Sequence, residues 1–123
     1  MRDRTEVLDF ARKEFGSEPE YLWARYPDYA VLRRADSGKW YAALMDVPRE
    51  KLGLPGEGRA DILVFKCDAR MVGSLLRGGR YLPAYHMNRS NWITAPLGAG
   101  IPSEETAELL RLAYELVGPK RGR

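Results

Sequence analysis

The chain is short of the residues that build most small-protein chemistry. It holds one cysteine, Cys67, and one histidine, His86, among 123 residues. A single cysteine excludes an internal disulfide and fits a reducing compartment better than secretion. One Cys and one His fall short of the four ligands of a structural zinc site, and neither a HExxH pair nor an EF-hand loop is present. No metal and no cofactor is expected. No apolar run approaches the ~20 residues of a membrane span. The start, Met1-Arg2-Asp3-Arg4, leads into an amphipathic segment instead of a signal-peptide core. The reading is a cytoplasmic protein without a membrane partner, with a monomer favoured.

Excess charge is also lacking. Twenty Lys and Arg stand against 17 Asp and Glu, a formal net charge of +3. The hydrophobic share of 45% and charged share of 30% are those of a folded globular chain, not a disordered one. A chain of this length supports one core. The expected division is a single domain over residues 1–118 and a basic tail over 119–123.

Local signals order the elements. Asp3 and Glu6 form a capping box before Val7, Leu8, Ala11 and Phe15, and Gly16 sits where such a helix ends. Residues 21–25, rich in aromatics, read as a short strand. Tyr29–Arg34 and Lys39–Met45 flank an Asp-Ser-Gly turn and predict a hairpin. Residues 46–59 read as a long loop with a helical turn at 48–52 and with Leu52 and Leu54 folded back onto the core. Ala60–Cys67 reads as a strand, Asp68 as the cap of a helix holding Met71, Val72, Leu75 and Leu76, and Gly78-Gly79 as its stop. Tyr81–Tyr85 and Asn91–Ala95 read as short strands. The last helix is expected to start with Ser103 as its cap and to bury Ala107, Leu110, Ala113, Tyr114 and Val117. No parallel β-α-β repeat appears. The fold class is α+β: an antiparallel β-sheet with the N- and C-terminal helices packed on one face. The second face is then expected to stay open for a ligand or partner.

Chemistry concentrates in one region. Between Lys66 and Arg89 lie five cations, Lys66, Arg70, Arg77, Arg80 and Arg89, against the single acid Asp68. Tyr81, Tyr85, His86, Asn88, Asn91 and Trp92 are interleaved with them. Cations attract phosphates, amides pair with base edges and aromatic rings stack on bases. Two readings of this region stand side by side. In one, Lys66, Arg70, Arg77, Arg80 and Arg89 contact phosphates while His86, Asn88, Asn91 and Trp92 shape the contact surface. In the other, the cations form a solvated face, the asparagines brace a tight corner through Asx-type bonds, His86 is a buried hydrogen-bonding residue, and Tyr85 and Trp92 are core. Cys67 reads as a small buried hydrophobe. No nucleophile motif supports catalysis, and the Gly-rich run 53–58 precedes a strand and carries an acid, so it does not suit phosphate.

The octapeptide Tyr85-His86-Met87-Asn88-Arg89-Ser90-Asn91-Trp92 resembles the Y-H-M-N-K-x-H-W signature of the MmcQ/YjbR family. Phe65-Lys66-Cys67-Asp68 is similar to the family's L-K-C-D-P segment, and the last helix ends in a similar Ala-Tyr-Glu-Leu-Val. Arg89 stands where the family has Lys, and Asn91 where it has His. The resemblance implies a CyaY-like, double-wing α+β fold and a DNA-binding role; double-stranded DNA is the partner expected, with no catalytic residue. Frataxin-type iron binding needs an acidic first helix, whereas here Glu6, Asp9 and Glu14 are balanced by Arg4, Arg12 and Lys13. The alternatives are a protein- or small-molecule-binding domain using His86 and Trp92, and an enzyme with His86 as general base.

Overall fold

The structure, a computed structural model, describes residues 1–119; residues 120–123, most of the expected tail, fall outside them. Helix α1 spans Arg4–Phe15. The Asp3 carboxylate accepts the Glu6 N–H at 2.9 Å, and the Glu6 carboxylate reaches back to the Arg2 N–H at 3.1 Å. Gly16 closes the helix at φ 69°, where its N–H returns to the Arg12 carbonyl and the Ser17 N–H to the Ala11 carbonyl. That left-handed turn favours a residue without a Cβ.

Strands β1 (Ala30–Arg33) and β2 (Trp40–Pro48) form the expected hairpin. Leu32 pairs with Ala42 but Arg33 pairs with Trp40, so Tyr41 is one extra residue in β2. The bulge turns Tyr41 to the same side as Ala42, into the core. There its hydroxyl donates to Ser17 at 2.7 Å, and burial pushes its phenol up to about 12.

The long loop is shorter than expected. β2 continues to Pro48 and pairs with β3 (Arg59–Lys66) along its length. A 3-10 turn, Arg49–Leu52, and the glycine-rich residues up to Gly58 join the two. Helix α2 (Ala69–Arg77) follows, capped by the Asp68 carboxylate on the Arg70 N–H. Then come β4 (Leu82–Pro83), β5 (Trp92–Pro96) and α3 (Ser103–Leu116). The sheet is antiparallel in the order β1-β2-β3-β5-β4. No helix among the described residues is long and apolar enough to cross a membrane.

Two local expectations fail. Residues 21–25 form no strand; only Glu20 bridges to Val31. The segment lies over the sheet, with Trp23 packed edge-on to Tyr29 and Trp40. Its aromatics serve burial across a face and leave the strand ladder to others. Ser103 is also not the cap of α3. Pro102 holds that position with φ −60° and ψ 141°, and the Ser103 hydroxyl instead donates to Glu6 at 3.1 Å. Proline's fixed φ already sets the extended entry, so the cap shifts by one residue.

The helices pack on one face, over Leu32, Leu44, Leu63, Phe65 and Ile93. The second face is not open, contrary to the sequence reading. Val31, Ala43, Val47, Ile62 and Val64 are fully buried there, beneath Trp23, Tyr29, Trp40, Leu52, Tyr85, Met87 and Trp92. Burying each such aliphatic side chain is worth about 1.5–3 kcal/mol. Leaving four of them in water would cost most of a domain's roughly 5–15 kcal/mol of net stability. The roof is therefore part of the fold, and any contact surface must lie on top of it.

Candidate functional site

The corner between β4 and β5 is pinned at both ends. The buried Thr94 hydroxyl accepts the Tyr85 N–H at 3.0 Å, which ties the start of the corner to β5. The Asn91 carbonyl accepts the Cys67 N–H at 2.9 Å, which ties its end to β3. Between them the Asn88 carboxamide oxygen accepts both the N–H and the hydroxyl of Ser90, at 2.9 and 2.7 Å. This Asx turn is closed by the Asn91 N–H on the Asn88 carbonyl.

The octapeptide therefore divides into two sets. Tyr85, Met87 and Trp92 face inward and roof the second sheet face. His86, Asn88, Arg89 and Ser90 face solvent. Asn91 is half-buried, and its amide oxygen is shielded with no protein partner among the described residues. It cannot present that oxygen to a base edge. Trp92 is 9% exposed, so its expected role as a contact surface is corrected to core.

His86 is the one non-glycine residue with positive φ among the described residues, at 59°. A left-handed non-glycine residue costs roughly 1–2 kcal/mol, and the Tyr85 and Thr94 anchors hold it there. The His86 ring sits 4.1 Å from the Tyr85 ring, tilted at 52°. A His86→Gly variant is expected to match or exceed the parent in stability, by up to about 1 kcal/mol. His86→Val is expected to lose about 1–2 kcal/mol, because a β-branched side chain is least tolerant of this backbone. Urea unfolding of the two variants checks the difference.

The five cations do not act as one group. The Arg70 guanidinium grips both Asp68 oxygens, at 3.1 and 2.8 Å. That pair holds the Asp68 carboxyl down at about 2. Arg80 lies on both oxygens of Glu105, at 2.9 and 3.0 Å. The same carboxylate accepts the buried Tyr81 hydroxyl. Arg70 and Arg80 thus each pair with a carboxylate of their own chain, while the Arg70 side chain stays 89% exposed. Arg77 bonds only the Ser74 hydroxyl, at 3.2 Å. Lys66 Nζ lies 5.6 Å from the Trp92 ring centroid. Among the described residues, Lys66, Arg77 and Arg89 have no carboxylate within ion-pair distance.

Cys67 is 4% exposed, and burial followed by the Asp68 charge pushes its thiol up. It is an inert part of the core. Among the described residues no three His, Cys, Asp or Glu side chains gather closely enough to hold a metal ion. An apolar cavity of about 280 Å³ opens on the helix side, between Cys67, Met71, Leu109, Leu112 and Leu116. Neither His86 nor Trp92 borders it. What sequence reasoning missed is the aromatic group of Trp23, Tyr26, Tyr29 and Trp40 that adjoins the corner across the roof. The density of aromatics at 21–29 was the available signal.

A family model described as YjbR matches residues 15–116. The uncharacterized protein YyaQ of Bacillus subtilis (strain 168) is 37% identical over 116 residues, covering 94% of this chain and 98% of that protein. A crystal structure of a Pseudomonas syringae protein is 39% identical, with a TM-score of 0.92 over 94% of this chain and 99% of the other. A Deinococcus radiodurans crystal structure, 21% identical with a TM-score of 0.73, covers 95% of this chain and 79% of its own; it shares the fold.

Proposed function

The chain belongs to the YjbR family, and from the charge on its fixed corner we propose that it is a non-catalytic DNA-binding protein. The observation that carries this reading is Arg89. It stands exposed, with no carboxylate within ion-pair distance among the described residues, on a corner braced by Asn88 and Thr94. Lys66 lies at the adjoining end of β3, opposite Trp92 in the register. Arg77 at the end of α2 is, among the described residues, the third of the five cations of this region without a carboxylate partner. The fixed backbone of the corner sets where Arg89 is presented to a phosphate. Contacts of this kind fix a protein on the backbone and carry no sequence information directly. Arg70 and Arg80 serve the fold and contribute less, because a phosphate must compete with Asp68 and Glu105.

Fluorescence anisotropy with a labelled DNA duplex at two salt concentrations tests the reading. Each phosphate neutralised adds about −0.9 to the slope of log affinity against log salt. Three contacts predict a slope of roughly −2 to −3. Arg89→Ala is expected to weaken binding and make the slope shallower by about one contact, whereas Arg80→Ala changes the slope little. Absence of binding at low salt, to duplex and single strand alike, removes the proposal.

A further inference from the structure

Above the second sheet face the aromatic side chains form a continuous strip. Trp40 meets Trp23 at 5.8 Å, and Trp23 meets Tyr29 at 6.0 Å, both edge-on. Tyr26 lies nearly parallel on Tyr29, with centroids 4.7 Å apart and 17° between planes. Tyr29 and Tyr85 belong to the same apolar cluster on this face. Tyr85 in turn carries the His86 ring. The strip thus runs from β2 to the charged corner.

Most of these rings seal the sheet, but its outer members do more than that requires. Tyr26 is 50% exposed and Tyr21 55%. One face of the Tyr26 ring is backed by Tyr29, which leaves the other as a fixed platform. His86 leans on Tyr85 at a tilt of 52°, and the residue is exposed. Arg25, beside Tyr26, and Arg89, beside the His86 end, have no carboxylate within ion-pair distance among the described residues. Asp28 and Asp46 share the Tyr26 end with Arg25 and Arg59, Asp46 being paired with Arg59. Flat exposed rings beside the cations Arg25 and Arg89 match a polyanion whose flat faces are free. In a duplex the base faces are stacked on one another and are closed to such rings; in a single strand they are open.

We infer that the strip takes single-stranded nucleic acid, with unpaired bases stacked on Tyr26 and His86 and phosphates held by Arg25 and Arg89. This rests on the reading of the corner as a nucleic-acid contact, and it names the form of strand that the corner receives. Tyr26 is already immobilised by Tyr29, so a base that stacks on it gains contact without ordering a loose side chain. Because every base offers a flat face, the strip is expected to show little sequence preference. Stacking is indifferent to the sugar, so DNA and RNA strands share the same chemistry here.

The test is anisotropy with one labelled oligonucleotide, used alone, annealed to its complement, and as its RNA counterpart, at matched salt. The single strand is expected to bind about tenfold tighter than the duplex, since one stacked base is worth roughly that factor or more. Tyr26→Leu is expected to remove most of this preference, and Tyr26→Phe to keep it. Thermal melting of both variants verifies that the fold is intact. Equal binding of duplex and single strand, with Tyr26→Leu silent, overturns the inference and leaves the phosphate contacts of the corner standing. Binding of neither form overturns both. DNA and RNA strands of the same sequence are expected to bind alike; a strong preference for one sugar would overturn stacking as the source of binding.

Discussion

Trp92→Ala is expected to lower the stability of the domain by about 3–5 kcal/mol, the range for deleting a large aromatic side chain from a core. Trp92 is 9% exposed and faces the second side of the sheet, in the cluster that holds Ile62, Val64 and Met45. Truncation leaves a hole under the corner at the position paired with Lys66. The loss is about a fifth or more of the roughly 5–15 kcal/mol a domain of this kind has. Urea unfolding should show a lower midpoint with an unchanged slope. Trp92→Phe keeps a ring in place and should lose less than half as much. Arg89→Ala, a few residues away, should stay within about 0.5 kcal/mol of the parent while losing affinity for nucleic acid. A Trp92→Ala loss below about 1 kcal/mol would return the indole to the surface and reinstate it as a contact residue.

Glu105→Ala is expected to cost about 2 kcal/mol at neutral pH, although the residue is on the surface of α3. Its carboxylate accepts the hydroxyl of Tyr81, which is 5% exposed, and both bonds from Arg80. Removal strands a buried hydroxyl without an acceptor, a loss of roughly 1–3 kcal/mol. The pH profile distinguishes this cause from lost packing. The Tyr81 hydrogen bond, and behind it Arg80, hold the Glu105 carboxyl below its ordinary 4.5. A depressed carboxyl contributes stability that is complete above the unfolded value and fades as pH falls through the lower folded one. The gap between parent and variant should therefore be constant above about pH 6 and narrow below 4.5. From the alkaline side, burial and the same carboxylate raise the Tyr81 phenol above its ordinary 10.0. Folding favours the neutral phenol, so that contribution is lost as pH climbs past 10. A gap independent of pH would mean that Glu105 acts through packing alone.

What was legible in the sequence was local. Asp3, Glu6 and Gly16 delimit α1, and Asp68 starts α2, because a cap and its helix are only a few residues apart. The Asp-Ser-Gly turn placed the first hairpin for the same reason, though not the bulge at Tyr41, which depends on how the rings of Phe15 and Tyr114 fill the core. The pairing of Arg80 with Glu105 joins the end of α2 to the start of α3 and is invisible to any short window. Arg70 with Asp68 was in local reach, yet a count of charges treats both as free. The closed second face had a signal of its own. Ala42-Ala43-Leu44-Met45 and Ile62-Leu63-Val64-Phe65 are apolar without alternation, the pattern of strands buried on both sides. The site was half legible: the corner stood out by its composition, but which of its side chains face outward was decided by the Thr94 anchor and the His86 backbone.

The Glu20–Val31 bridge has a consequence for how the protein behaves at high concentration. β1 is an outer strand, and Glu20 occupies its free side with two backbone hydrogen bonds of 3.0 and 2.9 Å. The Glu20 carboxylate also binds Arg33 at 3.0 Å, so a charged pair stands along that border. At the opposite border β4 is two residues long and ends in Pro83, which has no N–H to donate. Both borders of the sheet are thus blunted against a foreign strand, and ladders extended from open borders are the usual seed of amyloid-like association. With Glu20 seated on β1 and Pro83 closing β4, the protein is expected to resist strand-to-strand association at high concentration.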